Sequence, residues 1–156
     1  MNIDAHHQDV ARALHRAAML YRHFAETLQK ELGNERAREL ILKAVYAYGG
    51  QIGREARART QAKGLPPTPG NFSDDLPSIG WISNKEEIDG ETVTKIESCA
   101  FAEEWRDMDP ALARLYCYVD QAKMEAYNPD FTYVHLKNTL DGDPFCRMAV
   151  RPQKTE

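Results

Sequence analysis

The chain has 156 residues, enough for one domain with a sizeable core, and its 42% hydrophobic and 28% charged residues are those of an ordinary globular protein. A net charge of -4 without a run of like charges gives no positive field for nucleic acid, and no stretch of eighteen apolar residues offers a membrane span. The N-terminus lacks the basic-then-apolar pattern of a secretory signal, and the three cysteines are far apart, so reduced thiols in a cytoplasmic protein are expected rather than a disulfide scaffold.

Val10, Leu14, Ala17, Tyr21, Phe24, Leu28 and Leu32 recur in steps of four and three, which predicts a helix over residues 9–32 with that stripe facing the core. Gly33 stops it, and Asn34 caps a second helix with the stripe Ala37, Ile41, Ala44, Val45, Tyr48 and Ile52, running on to Gly64. So short a connection predicts an antiparallel hairpin over residues 1–64. Gly49, Gly50 and Gly53 fall inside the second helix, at a cost of about 1 kcal/mol each relative to alanine. A kink, room for a ligand or close packing of another backbone would each explain them, and close packing is favoured because nothing polar converges there.

Residues 65–80 are rich in proline and glycine and read as a loop, a lid or a binding segment. Trp81 and Ile82 open a sheet, Asp89-Gly90 marks a hairpin turn, and a strand follows over residues 92–98. Asp109-Pro110 starts a third helix with Leu112, Leu115, Tyr116, Val119 and Ala126 on its core face, ending at Asn128-Pro129. A strand over residues 131–140 and a last one over 145–150 flank the turn Asp141-Gly142-Asp143-Pro144. The expectation is a single α+β domain: an N-terminal antiparallel helix hairpin packed on a small antiparallel sheet with a third helix, residues 81–150 carrying the motifs.

Cys117 and Asp120 sit three apart on the third helix and share a face bordered by Tyr116. A carboxylate beside a thiol opposes thiolate formation, so Asp120 suits holding a cationic substrate or activating water. A buried cysteine beside a solvated aspartate is the plainer reading. Cys99 closes a strand and Cys146 opens one, so side chains from distant segments can converge. Were all three cysteines to meet with Asp120 or His135, zinc would be the natural occupant, although no Cys-x-x-Cys spacing is present. The working expectation is no metal and no cofactor. His135 shares a strand face with Phe131, Tyr133, Lys137 and Thr139, a row polar enough to line a pocket. His6, His7, His15 and His23 lie on or before the first helix and read as tail or surface residues. No Gly-rich phosphate loop, Gly-x-Ser-x-Gly or His-Glu-x-x-His occurs.

Cys99, the segment from Leu115 to Asp120 with its Cys-x-x-Asp, and the segment from Asn138 to Cys146 with its Thr-Leu, Gly and Cys resemble the L-2-amino-thiazoline-4-carboxylic acid hydrolase family. The resemblance covers residues 81–150 in motif terms, and the helical half matches in layout. Arg147 departs from the pattern, because family members often carry aspartate directly after the final cysteine, and that bears on the substrate. The layout also resembles 4-vinyl reductase ligand-binding domains, in which cysteines can hold a structural metal. The first resemblance implies hydrolytic opening of a small ring at a C=N carbon, in a cyclic amidine or isothiourea. Asp120 would then pair with the amidinium or activate water, and Cys117, or failing it Cys146 or Cys99, would be the nucleophile. Tyr116, His135 and Thr139 would orient the substrate and Lys137 would meet a carboxylate. The competing readings are a small-molecule sensor with a cysteine-held metal and no turnover, and a dimerising scaffold; a homodimer is expected by analogy with the family.

Overall fold

The computed structural model describes residues 3–73 and 79–153. Two long helices, α1 (Ile3–Leu32) and α2 (Asn34–Ala62), are joined by Gly33. Strands β1 (Trp81–Ile88) and β2 (Glu91–Cys99) form a hairpin, followed by the short helices α3 (Ala100–Glu104) and α4 (Pro110–Ala113). A 3-10 turn at Arg114–Cys117 leads into α5 (Tyr118–Tyr127), and β3 (Phe131–Lys137) and β4 (Cys146–Pro152) complete a four-stranded antiparallel sheet in the order β1-β2-β4-β3. The architecture is the expected α+β one. Among the described residues no helix is long and apolar enough to cross a membrane.

Two local signals act as their chemistry dictates, whereas Asn34, expected to cap α2, is its first helical residue behind Gly33 and its side chain makes no capping bond. Asp89 and Gly90 both adopt positive φ, 52° and 80°, the backbone twist a two-residue hairpin needs. The Asp109 carboxylate accepts the Ala111 amide at 2.9 Å and so caps α4 ahead of Pro110. The expected third helix is present but tightened into a 3-10 turn over its middle, which places Cys117 at the entrance to α5. The helix α3 follows β2 directly and carried no sequence signal.

The core lies where α1, α3 and α4 meet the start of α2 and α5. Trp105 is 2% exposed and its indole N–H donates to the Ala18 carbonyl at 2.9 Å. That contact fixes which face of α1 meets the core, with Ala18 fully buried in the same cluster as Trp105. Ala18 and Ala25 are buried, whereas Ala17 is exposed and Phe24 and Leu32, expected in the core, are 63% and 46% exposed. On α2 the buried line runs through Ala37, Ile41, Val45, Gly49, Gly53 and Ala56, and Ala44 and Tyr48 of the expected stripe face outward.

The close-packing reading of the glycines is what the structure shows. A Cβ on Gly53 would lie 2.2 Å from the Lys123 carbonyl oxygen, and one on Gly49 2.7 Å from that of Val119. Helices α2 and α5 therefore touch backbone to backbone. On its other side α5 packs against the sheet, where Phe131, Tyr133 and Val150 meet Met124 and Tyr127. The described part of the loop at 65–80 is strapped to this end of the molecule: Asn128 donates to Pro67 O at 2.9 Å and Phe72 packs edge-on against Tyr127. Residues 74–78, which include Pro77, lie outside the described residues.

Candidate active site

Register in the sheet decides which side chains reach the layer beneath α5. Along β4, Cys146, Met148 and Val150 alternate with Arg147, Ala149 and Arg151. On β3, Tyr133 and His135 pair with Val150 and Met148, so they share the inner face, and the His135 imidazole reaches the Cys117 carbonyl. A bulge at Leu136 then shifts the strand by one residue, and Lys137 pairs with Arg147 on the outer face. The expectation that Lys137 lies beside His135 is thereby corrected. Arg147 also points away from Cys146, bonding Glu86 at 2.9 Å, so the departure from the family pattern is on the far side of the sheet.

The three cysteines gather on the inner side. Cys99 lies close enough to both Cys117 and Cys146 that a charge on one disfavours a charge on the other. The Thr139 amide donates to Cys146 Sγ at 3.4 Å, and Thr139 Oγ1 stands 3.5 Å from the same sulfur. Among the described residues no three of His, Cys, Asp and Glu converge as a metal-holding group. Burial pushes the Cys117 thiol up to about 12, against the opposing pull of Asn138 and Arg114. Burial also raises Cys99, against which the backbone amides of Ala102 and Phe101 favour its anion.

Asn138, 1% exposed, organises the surroundings. Its Oδ1 accepts the Leu140 amide at 2.9 Å, and its own backbone N–H donates to Asp143 at 2.9 Å. Its Nδ2 lies 3.4 Å from His135 Nδ1, while His135 Nε2 is 3.2 Å from the Cys117 carbonyl oxygen. A carbonyl only accepts, so Nε2 carries the proton and Nδ1 takes the Asn138 N–H. Burial, and then the positive Arg114, hold His135 below the ordinary imidazole value. His135 is thus a neutral, fully engaged ring that supports the turn bearing Cys117.

A cavity of about 960 Å³ opens beside this cluster. Cys99, Thr139, Arg114, Tyr118 and Asp141 line it, with Trp105, Met108 and Leu140 as apolar wall and Glu97 and Glu103 among its acids. Cys117, Cys146, Asp120, Tyr116, His135 and Lys137 are not among its lining residues. Tyr116 instead packs edge-on among Tyr21, Phe101 and Trp105. Asp120 is 3.3 Å from the ammonium of Lys123, a lysine only 6% exposed.

Two groups of this site were not singled out in the sequence. Asn138 gave no signal beyond its place before Thr139. Arg114 is three residues before Cys117 and four before Tyr118, a spacing that puts all three on neighbouring turns. Its Nε donates to Asp141 at 3.0 Å and its guanidinium lies 5.5 Å from the Tyr118 ring centroid. Its Nη1 is buried with no hydrogen-bond partner among the described residues.

Residues 12–150 match the family model of L-2-amino-thiazoline-4-carboxylic acid hydrolase. The chain belongs to this family. The hydrolase-family fold extends to two solved structures. One is a trafficking protein particle complex subunit 3 from Naegleria fowleri covalently bound to palmitic acid, at 16% identity and TM-score 0.53, covering 91% of this chain and 96% of that one. The other is the phenol-responsive sensory domain of the transcription activator PoxR with phenol, at 16% identity and TM-score 0.53, covering 89% of this chain and 74% of that one. At that identity the likeness is one of fold. No curated protein matches the chain significantly.

Proposed function

We propose that this member of the family opens a small carboxylate-bearing ring at its C=N carbon, a cyclic amidine or isothiourea such as an aminothiazoline carboxylate. One observation carries the reading: a thiol, Cys99, a hydroxyl, Thr139, and a guanidinium with an N–H unpartnered among the described residues, Arg114, border one cavity. Arg114, steadied by Asp141 and Tyr118, is the group we assign to the substrate carboxylate in place of Lys137. The protonated ring is a cation, which Glu97 and Glu103 favour.

A cation beside Cys99 also eases loss of the thiol proton, for which Glu103 is the proposed acceptor. The thiolate adds to the C=N carbon. The ring C–N bond then breaks as nitrogen takes the proton from Glu103 and departs as a primary amine. Water adds to the same carbon, giving one proton to Glu103 and one to the freed amine; the bond to Cys99 breaks, the sulfur takes the proton back from Glu103, and the product leaves one water heavier than the substrate. Thr139, a hydroxyl on the cavity wall, is assigned to accept an N–H of the cationic ring and orient it. Cys117, expected as the first choice of nucleophile, and Cys146, expected as an alternative to it, do not line the cavity and take no part in this scheme, and Asp120 holds Lys123.

The test is incubation with 2-amino-thiazoline-4-carboxylate, following product mass and the appearance of a primary amine. The reading expects one water gained and one amine released per turnover. Saturable binding without product would favour a second reading, a ligand-binding domain, which the fold shared with the PoxR sensory domain supports.

A further inference from the structure

The face of the sheet turned away from α5 gathers positive charge that the ring-opening site does not use. The alternation that turns Cys146 inward turns Arg147 and Arg151 outward, and the Leu136 bulge brings Lys137 into register with Arg147. Lys95 pairs with Arg147 from β2. The Lys95 ammonium, the Lys137 ammonium and the Arg147 guanidinium carbon stand 4.9, 5.0 and 5.0 Å from the centroid of the Phe145 ring. Three cations around one ring repel one another, and the neighbouring acids offset only part of that. Glu86 binds Arg147 at 2.9 Å and Lys95 at 3.8 Å, Glu97 binds Lys95 at 2.9 Å, and Glu91 holds Arg151 through both oxygens at 2.8 Å. Among the described residues Lys137 has no carboxylate within ion-pair distance, and Arg147 Nε is buried without a hydrogen-bond acceptor.

Both of these unmatched groups border a cavity of about 370 Å³. Val93, 1% exposed, and Leu136 give it an apolar surface, and Asp89 and Glu91 also line it, near the β1-β2 turn. That volume suits a small metabolite. We propose that this is a second binding site, for a small organic anion with a single charged head, a carboxylate or a phosphate monoester, bridged by Lys137 and Arg147. The head supplies the acceptor that Arg147 Nε lacks and relieves the repulsion among the three cations. The ligand's apolar part lies on Leu136, which is 39% exposed above the buried Val93. Asp89 disfavours a second negative charge at the turn end, so the ligand is charged at one end.

Titration of the intact protein with benzoate and, separately, with phenyl phosphate, against sodium chloride at equal ionic strength, tests this by amide chemical shifts. The expected result is saturable shifts at Val93, Lys137 and Arg147 with at least one probe, weakened about tenfold or more in Lys137→Ala and unchanged in Lys30→Ala. The head group that binds tells a carboxylate ligand from a phosphate one. Shifts no larger than those of chloride, equal weakening in both variants, or saturation confined to Cys99 and Thr139 would overturn the proposal. Because the two cavities share no lining residue, this result is independent of turnover at the first.

Discussion

Replacing Gly53 by alanine inserts one methyl group into the seam between α2 and α5. That methyl would sit 2.2 Å from the Lys123 carbonyl oxygen and 2.9 Å from Ala126 Cβ, where ordinary contact begins at 3.4 Å. The shortfall against the carbonyl exceeds an ångström and the obstacle is backbone, so the two helices must separate. Overpacking of this kind costs about 3 kcal/mol, and the better helix propensity of alanine returns about 1 kcal/mol. The net expectation is a loss of about 2 kcal/mol, read from the urea midpoint of the full-length chain. Gly50→Ala is the internal control. Its methyl would meet the flexible tip of Arg54 at 3.2 Å, so that variant is expected to match or exceed the parent. A Gly53→Ala protein as stable as Gly50→Ala would refute the backbone-on-backbone account.

Three further outcomes follow from the site. His135 is held below the ordinary imidazole value of 6.5, so the unfolded chain binds that proton more readily than the folded one. Stability from this ring is fully present above pH 6.5 and is lost as pH falls below it; a His135→Gln variant should show a flatter acid limb in denaturation midpoints, and an unchanged limb would contradict the burial argument. Iodoacetamide followed by peptide mapping should label Cys99 about tenfold faster than Cys117 or Cys146, since Cys99 lines the cavity and burial raises Cys117 to about 12. Faster labelling of Cys117 would reverse the assignment. Arg114→Ala should raise KM about tenfold with a smaller change in kcat, and lysine at that position should not restore it, because a lysine lacks the planar fork; an unchanged KM would remove Arg114 from substrate binding.

Much of the fold was legible in the sequence because its signals are local. Asp89-Gly90 needs no distant partner to favour a turn, and Asp109 caps a helix that its own next residue, Pro110, begins. The helix stripes were harder. Ala17-Phe24 and Ala18-Ala25 follow the same period one residue apart, and what selects the second is Trp105, more than eighty residues along the chain. Likewise nothing in Leu136 announces a bulge, so strict alternation carried Lys137 to the wrong face. The cysteines were found from their places at element ends, but choosing among them needed burial, and burial is a property of the assembled layers. Arg114 reads as a surface arginine until Asp141, from the turn after β3, is seen to hold it.

The central claim is that Cys99 bonds to the ring carbon during turnover. Acid quenching of the intact enzyme within the first turnovers on 2-amino-thiazoline-4-carboxylate, then mass mapping of the peptides, tests it most directly. The account predicts an adduct of substrate mass on the peptide bearing Cys99, absent from those bearing Cys117 and Cys146, and no turnover in Cys99→Ala. Undiminished turnover in Cys99→Ala, with no adduct on the parent, would contradict it.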